Sequence, residues 1–313
     1  MYSHASALTI LFNLFDALSA LATQGNDQPK EAITKGLALY NLGEFIQAKP
    51  YLTVAAVAGD RASQYALGEV TRRQAGSITD EAKDWYRLAG AQNHVYALMR
   101  LGDEASLKKA KELAQADAAQ AMLELYELDQ NIETLKKAAD AGSLEGQYIL
   151  AVKYDQDATL IADSEQRRST IDALLKKAAD AGFSKAVHWY TNRTPINQDL
   201  PLRRQWLEKR AQLNDVNGVL NYGFALSGFY QDDSGVDNEY GFTKDLVKGY
   251  GLIWLVVETT KELSRHDSAR QYLDDIAEEM TTDQVTAAKA FAQQWKTTHP
   301  PMSEFRLTYS DIA

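Results

Sequence analysis

A pattern of small and large residues recurs six times along the chain and limits the possible folds more than any other feature. Apolar residues follow one another at three- and four-residue spacing almost throughout, which is the periodicity of helices, and alternating strand patterns are scarce. Between pairs of helical stretches lie six residues that suit a turn: Gly59, Asn93, Asp117, Gly142, Gly182 and Asn214. We therefore predict a helix–turn–helix unit that repeats along the chain.

Three offsets from these turn residues carry the pattern. The residues three positions before the turns are all small: Ala56, Gly90, Ala114, Ala139, Ala179 and Ala211. The residues four positions after the turns are small as well: Ser63, Ala97, Ala121, Gly146, Ala186 and Gly218. The residues eight positions after the turns are large: Leu67, Leu101, Leu125, Leu150, Tyr190 and Tyr222. Small residues let neighbouring helix backbones approach, and large ones fill the groove between them, so the sequence predicts an all-α fold, an α/α superhelical solenoid of helix–turn–helix repeats with helical caps at both ends.

Several segments resemble a known repeat. The segments that resemble the second helix and turn of a Sel1-like repeat, which is a tetratricopeptide-like helical repeat, are residues 82–94, 135–142 and 175–182. The segments that resemble its first helix, with a small residue followed by Gln-Tyr-x-Leu, are residues 63–68 and 146–151. The resemblance covers residues 33–297 and includes residues 245–254, where Gly249 replaces the usual alanine. Tyr126 and Thr191 stand where glycine is usual, which puts the local geometry there in question.

The chain is predicted to have three parts. These are an N-terminal capping helix region at 1–32, Sel1-like repeats at 33–262, and C-terminal capping helices with a loose tail at 263–313. The C-terminal caps are predicted as helices over 266–280 and 283–296, the second of which begins at Thr282 and Asp283. Phe291 and Trp295 lie four residues apart on it, and we expect them to dock on the preceding helix. The tail from residue 300 onwards is expected to be loose or extended.

The first 22 residues allow two interpretations. Residues 7–22 are mostly apolar and end in small residues, as a cleavable signal does, but no Lys or Arg precedes them and Asn13 and Asp16 interrupt them. We expect a docked first helix and a cytoplasmic location for the chain as written; the alternative is a signal sequence and a periplasmic location. No run of 18 apolar residues occurs, so no transmembrane segment is predicted.

Composition argues against most catalytic and cofactor chemistry. The 43 acidic residues outnumber the 33 basic ones for a net charge of −10, and such a surface repels phosphate backbones, so no nucleic-acid partner is expected. The chain has no cysteine, which excludes disulfides, thiolate metal sites and thiol catalysis. Its five histidines lack metal-ligand spacing, and no phosphate-binding loop, dinucleotide fingerprint or nucleophile elbow is present. We therefore predict no enzyme activity, no metal and no cofactor.

One candidate binding surface is the inner face of the predicted solenoid, lined by the sixth and tenth residues after each turn. We call its candidate residues the inner row: Tyr65, Glu69, Met99, Asp103, Glu127, Tyr148, His188, Asn192 and Phe224. Such a row could hold a segment of another protein, because solenoids bind partners on extended concave surfaces, and its acids would speed the association of a basic partner. The alternative is that the sixth-position residues are interhelical core.

The second candidate is a long insertion between two repeat helices, residues 228–244. It combines aromatic side chains with acidic ones: Phe229, Tyr230, Tyr240, Phe242, Asp232, Asp233, Asp237 and Glu239. Loops of this length inside a compact repeat are unusual, aromatic residues supply contact area, and acids would steer a basic partner. The alternative is a lengthened loop without a role. The spacing of the acids does not follow the helix–loop–helix calcium rule.

The resemblance implies a non-catalytic protein–protein interaction module, with adaptor or regulatory roles that are commonly bacterial. Some Sel1-like proteins are immunity proteins that bind and block an antibacterial toxin, including lipase effectors of type VI secretion, and we expect this role, with a cognate toxin of basic surface as the partner. The alternative is an adaptor or scaffold in envelope signalling or complex assembly. Members of the family linked to β-lactam hydrolysis carry paired cysteines, which this chain lacks.

Overall fold

A computed structural model describes residues 28–116, 118–193, 198–228, 240–262 and 265–309. Within these ranges the chain forms sixteen helices and no strand, apart from one isolated bridge between Asp215 and Ser303. The helices are α1 (Gln28–Leu42), α2 (Phe45–Val57), α3 (Arg61–Ala75), α4 (Asp80–Ala91), α5 (Val95–Leu101), α6 (Glu104–Leu113), α7 (Ala119–Asp129), α8 (Ile132–Asp140), α9 (Leu144–Gln156), α10 (Ser164–Asp180), α11 (Ser184–Thr191), α12 (Leu200–Gln212), α13 (Val216–Ser227), α14 (Leu246–Thr259), α15 (Arg265–Glu278) and α16 (Thr282–Thr298). The predicted all-α class is confirmed. The helix expected near the N-terminus lies outside the described residues.

The predicted turn residues do end one helix and precede the next. Five of them have positive φ angles: Gly59 (+94°), Asn93 (+62°), Gly142 (+99°), Gly182 (+90°) and Asn214 (+57°). A residue in the left-handed region stops a helix and lets the chain reverse, and Gly and Asn adopt it most readily. The sixth, Asp117, lies outside the described residues. The repeat register read from the sequence is therefore confirmed at five positions.

The small residues of the repeat are buried at both predicted offsets, and the large ones are buried or half-buried. Helices α13 and α14 approach each other closely at a glycine of each. A Cβ atom at Gly249 would lie 2.8 Å from the carbonyl oxygen of Gly223, so the two backbones touch there. This contact explains why glycine replaces the alanine that is usual at position 249.

The described chain divides into two compact units. Unit one comprises 28–40, 44–146 without residue 117, and 307–309; unit two comprises 41–43 and the described part of 147–306. Many helices pack on the one that follows them, for example α2 on α3, α3 on α4 and α13 on α14. The core of unit one includes Leu52, Leu67 and Tyr86, and that of unit two includes Leu252 and Ile253. The predicted division into caps and repeats, at 32/33 and 262/263, stays a prediction.

The C-terminal helices depart from the prediction in two details. Helix α16 begins at Thr282, as predicted, but its N-cap is Thr281, which the prediction did not name: the Thr281 hydroxyl accepts from the Gln284 amide, and the Gln284 side chain accepts from the Thr281 amide. The predicted docking of Phe291 and Trp295 on the preceding helix is wrong, because α16 packs mainly on α14. A Cβ atom at Gly251 of α14 would lie 2.6 Å from a carbonyl oxygen of α16, which leaves no room for a side chain between the two helices.

The tail from residue 300, predicted to be loose or extended, is not loose over residues 300–309. We call residues 300–306 the strap and residues 307–309 the tail segment. The strap is extended and is hydrogen-bonded within unit two: the Ser303 amide donates to the Asn214 carbonyl (3.1 Å), the Val216 amide donates to the Ser303 carbonyl (3.1 Å), and the Glu304 amide donates to the Asn41 carbonyl (3.0 Å). Backbone groups that find partners in this way order the chain.

Candidate functional site

Within unit one, the tail segment lies against helices α3 and α5 and the first turn of α9. We call four residues that hold it by hydrogen bonds or ring contacts the tail site: Tyr65, Tyr96, Arg100 and Glu145. Glu145 accepts two hydrogen bonds from Thr308: the backbone amide of Thr308 donates to Glu145 Oε1 and its hydroxyl donates to Glu145 Oε2, each at 2.7 Å. Hydrogen bonds to an ionised acceptor are shorter and stronger than neutral ones.

The next residue, Tyr309, is held by its ring and its carbonyl. Its ring stacks on Tyr96 with centroids 5.1 Å apart and planes 15° apart, and the guanidinium carbon of Arg100 lies 4.1 Å from the same ring centroid. Arg100 Nη2 also donates to the Tyr309 carbonyl (3.4 Å), and the Tyr65 hydroxyl donates to the Thr308 carbonyl (3.4 Å). The tail site therefore binds an extended segment through hydrogen bonds to its main-chain carbonyls and one hydroxyl and through contact with one aromatic ring.

Arg100 is fixed in place by a buried carboxylate. Glu69 is only 1% exposed and accepts from Arg100 Nε (2.8 Å), from Arg72 Nη2 (2.9 Å) and from the Tyr86 hydroxyl (2.7 Å). Burial alone would raise the pKa of Glu69, but the hydrogen bond from Arg72 and the charge of Arg100 outweigh it and hold this pKa below its ordinary value. Glu69 was predicted to be an inner-face acid that attracts a partner. That prediction is wrong, because Glu69 is buried and its charge is paired with Arg72 and Arg100 inside unit one.

Tyr65 is supported by a neutral histidine. The His94 ring stacks on it with centroids 4.3 Å apart, and His94 Nδ1 accepts from the amide of Ala97 and so caps helix α5. Burial, and after it the positive charge of Arg61, lowers the pKa of His94 to about 4. Burial, and after it the Glu69 carboxylate, raises the pKa of Tyr65, so its hydroxyl stays protonated and remains a donor.

The other inner-row residues of unit one are Met99, Asp103 and Glu127. Met99 is buried in the core beside Tyr65 and Tyr96, as the core alternative for sixth-position residues predicted. Asp103 is exposed and caps helix α6 by accepting from the Ser106 amide (3.0 Å). Glu127 lies half-buried on α7.

The inner-row residues of unit two lie in local packing contacts. Tyr148 is buried against Phe183 and Trp189, with ring centroids 5.6 and 5.9 Å away. Phe224 meets Tyr272 edge-on at 4.8 Å, and Asn192 ends helix α11.

His188 of the inner row adjoins a buried ion pair. His188 Nδ1 lies 3.0 Å from Arg210 Nη1, and Arg210 Nη2 lies 2.7 Å from the Asp215 carboxylate. Ser184 completes the cluster by donating to Asp215 (2.7 Å). Partial burial, and after it the Arg210 charge, lowers the pKa of His188, which fits a neutral ring that accepts from the guanidinium. The cluster holds α11, α12 and α13 together.

Only part of the predicted insertion is described. Phe229, Tyr230, Asp232, Asp233, Asp237 and Glu239 lie outside the described residues. Tyr240 and Phe242 are half-buried: the guanidinium carbon of Arg203 lies 4.7 Å from the Tyr240 ring centroid, and Phe242 meets Tyr222 edge-on at 5.4 Å. A cleft of about 800 Å³ lies beside Phe242, with basic and acidic side chains in its walls. A binding role for the insertion stays a prediction.

Sequence reasoning missed three residues of the tail site. Tyr96 and Glu145 are the third residues after their turns, and Arg100 is the seventh, whereas the prediction used the sixth and tenth positions. Positions three and seven lie one helical turn apart and adjoin position six on the same face. A wider stripe on the first helix of each repeat would have included them.

Two classes of feature are missing from the part of the chain that the structure describes. No three His, Asp or Glu side chains there are grouped to hold a metal ion. No described helix combines the length and apolarity needed to cross a bilayer.

The comparisons with known proteins concern the fold. No protein-family model and no curated protein matches the chain. A protective antigen with an SLR fold, present in uropathogenic Escherichia coli strains, is similar at 17% identity and a TM-score of 0.46; the match covers 90% of this chain and 63% of that one. A Sel1 repeat protein from Oxalobacter formigenes is similar at 17% identity and a TM-score of 0.40, covering 77% of this chain and 100% of that one. The repeat turns and buried small residues described above make the chain a helical-repeat protein, and the two solved structures to which it is similar are Sel1-repeat proteins.

Proposed function

We propose that this chain is a non-catalytic protein-interaction module and that the tail site is a place where it binds an extended protein segment. The observation that carries the proposal is the capture of Thr308 and Tyr309 by four side chains from three helices. Two of these contacts read backbone carbonyls, which every peptide offers, and the others select a hydroxyl and a ring. Protein-binding surfaces characteristically combine aromatic and Arg anchors with polar contacts at their edges.

In the finer proposal the chain is a bacterial immunity protein that binds and neutralises a secreted antibacterial toxin, for example a type VI secretion lipase effector. Its support is the resemblance to Sel1-like repeats, together with the net charge of −10, which favours fast association with a basic partner. A cytoplasmic location goes with this proposal for the chain as written. A periplasmic location is proposed instead if residues 1–22 act as a signal.

The second candidate function is an adaptor or scaffold in envelope signalling or complex assembly. Its support is the same site, because a groove that reads few side chains can serve several partners. The genes beside this one distinguish the two candidates: a neighbouring toxin or lipase favours immunity, and neighbouring signalling or assembly genes favour an adaptor.

The test is titration of the full chain with the product of the adjacent gene, followed by amide hydrogen exchange of the complex. For an immunity protein, we expect the product to bind, its toxic activity to fall with occupancy, and new protection to appear on α3, α5 and α9. Replacing Phe229, Tyr230, Tyr240 and Phe242 together by Ser tests the insertion in the same assay. If neighbouring products bind without losing activity, the adaptor candidate stands. If none binds, the interaction proposal is wrong for these partners.

A further inference from the structure

The surface that we propose for a partner is already covered by the chain itself. We propose that the tail segment is a built-in occupant of the tail site, and that the partner displaces it with an extended segment that carries Ser or Thr followed by an aromatic residue. This inference rests on the proposed function and adds both the chemistry of the partner and the means by which its binding is limited.

The contacts define what a displacing segment must present. Glu145 accepts from an amide and a hydroxyl of one residue, which selects Ser or Thr. Tyr96 stacks on the ring of the next residue and the Arg100 guanidinium lies over that ring, which selects an aromatic side chain. The carbonyls of both residues accept from Tyr65 and Arg100, which requires an extended backbone but no particular side chain.

The tail segment can leave without loss of the fold that carries it. The strap has its own hydrogen bonds to Asn214, Val216 and Asn41, and it ends at Arg306, before the tail segment begins. Thr308 is exposed, whereas Tyr309 is half-buried against the core of unit one, so departure of the tail segment uncovers an apolar surface that a competing aromatic residue can cover. Phe305 has φ of +47°, in the left-handed region that is unfavourable for a residue with a Cβ atom. A segment from another protein need not adopt this strained turn, and so has an advantage over the chain's own tail.

The occupant should weaken the apparent affinity for any competing segment by the fraction of molecules whose site is free. A tail segment seated in nine molecules of ten reduces that affinity about tenfold, and substitutions that release it should restore the loss. A tethered segment competes at an effective concentration of roughly millimolar, which makes such occupancy reachable with modest contacts.

The first experiment asks whether the tail segment is seated. The exchange rate of the Thr308 amide is measured by NMR in the full chain, in Glu145→Ala, and in Glu133→Ala as the matched control, since Glu133 is exposed and its carboxylate pairs with Lys136 on its own helix. We expect protection of about tenfold or more in the wild type and in the control, and its loss in Glu145→Ala. An unprotected Thr308 amide in the wild type overturns the inference.

The second experiment measures competition. The probe is a fluorescently labelled synthetic peptide with the sequence of residues 303–313, titrated into the wild type and into the full-length double variant Thr308→Ala/Tyr309→Ala. We expect the double variant to bind the probe at least tenfold more tightly than the wild type does. A probe with Ala at the position of Tyr309 should not bind the double variant. The full-length variant Thr308→Ser keeps the hydroxyl and should have the same affinity for the original probe as the wild type. Equal affinity for wild type and double variant, or binding to neither, overturns the inference.

A third comparison gives a signature that a purely structural role of Glu145 would not produce. In the double variant, Glu145→Ala should weaken the probe at least fivefold. In the wild type the same substitution should have a much smaller effect, because the tail segment and the probe lose the same contact. Equal effects in both backgrounds contradict competition.

These outcomes separate the inference from the proposed function. If the probe behaves as expected but no partner protein is found, the tail segment is an occupant of the site and the interaction proposal fails. If a partner binds wild type and double variant equally well, the interaction proposal stands and the inference is wrong.

Discussion

The strap and the tail segment are consecutive stretches of one extended chain, yet different kinds of contact hold them. The strap is bound through backbone groups on both sides and buries Met302, which is 6% exposed, in the core of unit two. The tail segment is bound through side chains of unit one that aim at a hydroxyl and a ring. The first arrangement is indifferent to sequence apart from one apolar residue and completes a fold; the second is selective and resembles recognition.

The largest expected effect that would test this difference lies in the strap. Met302→Ala should destabilise unit two by roughly 2–5 kcal/mol, because it removes a buried side chain and leaves a cavity. Met302→Leu, which conserves volume, should cost less than about 1.5 kcal/mol. Urea unfolding of both variants measures the two values. A loss below about 1 kcal/mol for Met302→Ala would mean that the strap, like the tail segment, is only lightly attached.

The second effect depends on pH and concerns the support beneath the tail site. Because the pKa of His94 is about 4 in the folded chain and about 6.5 when unfolded, the unfolded state takes up the proton first as pH falls. The contribution of His94 to the free energy of unfolding is fully present above about pH 6.5. It is lost progressively as the pH falls towards 4, by up to about 3 kcal/mol. His94→Asn keeps a residue suited to cap α5 and should remove this slope. Unfolding between pH 7 and 4 measures the slope, and the same slope in both proteins would contradict the prediction.

A third effect tests the hydrogen bonds that position the strap. Asn214 accepts from Trp295 Nε1 (3.1 Å) and donates to the Pro300 carbonyl (2.7 Å), while its φ of +57° suits glycine as well. Asn214→Gly therefore keeps the turn and removes only the side chain, and should cost about 2 kcal/mol through two lost hydrogen bonds and a buried indole N–H left without a partner. Gly76→Asn is the reverse exchange at another left-handed position (φ +69°), where nothing lies within 4 Å of a new Cβ atom, and it should cost less than Asn214→Gly in the same unfolding assay. A neutral Asn214→Gly would show that the strap is placed by packing alone.

The smallest effect is expected in the tail segment. Tyr309→Ala removes one stacked ring and one cation–π contact, which together contribute about 1 kcal/mol or less at a partly exposed site. Chemical unfolding should therefore barely distinguish it from the wild type, even though it opens the tail site. A loss as large as that of Met302→Ala would make the tail segment part of the fold.

The turns could be predicted from sequence because their cause is local. A glycine or asparagine that must adopt positive φ is visible in the sequence, and so are the small residues three before and four after it. Glu69 could not be assigned in this way. At the tenth position after Gly59 it has the spacing of a surface acid, and it is buried only because Arg100, from the next repeat, lies beside it.

The tail site could not be predicted from the sequence for the same reason. Thr308 meets Glu145 across 163 positions and Tyr65 across 243, and no periodic pattern links such distant residues. The inner-row prediction found Tyr65 because Tyr65 belongs to the repeat. It missed the tail segment, because the tail segment lies outside the repeats.

The carboxylate of Glu69 also bears on how unit one comes apart. Stacked repeats usually lose their end members one at a time, because each touches only its neighbours and contributes its own share. Here one buried charge joins three helices of adjacent repeats, α3 through Arg72, α4 through Tyr86 and α5 through Arg100. Withdrawing any of them would leave an ion without enough partners in a poorly solvated place. We expect α3, α4 and α5 to unfold in a single cooperative step. Fraying from either end of unit one should therefore stop at these three helices.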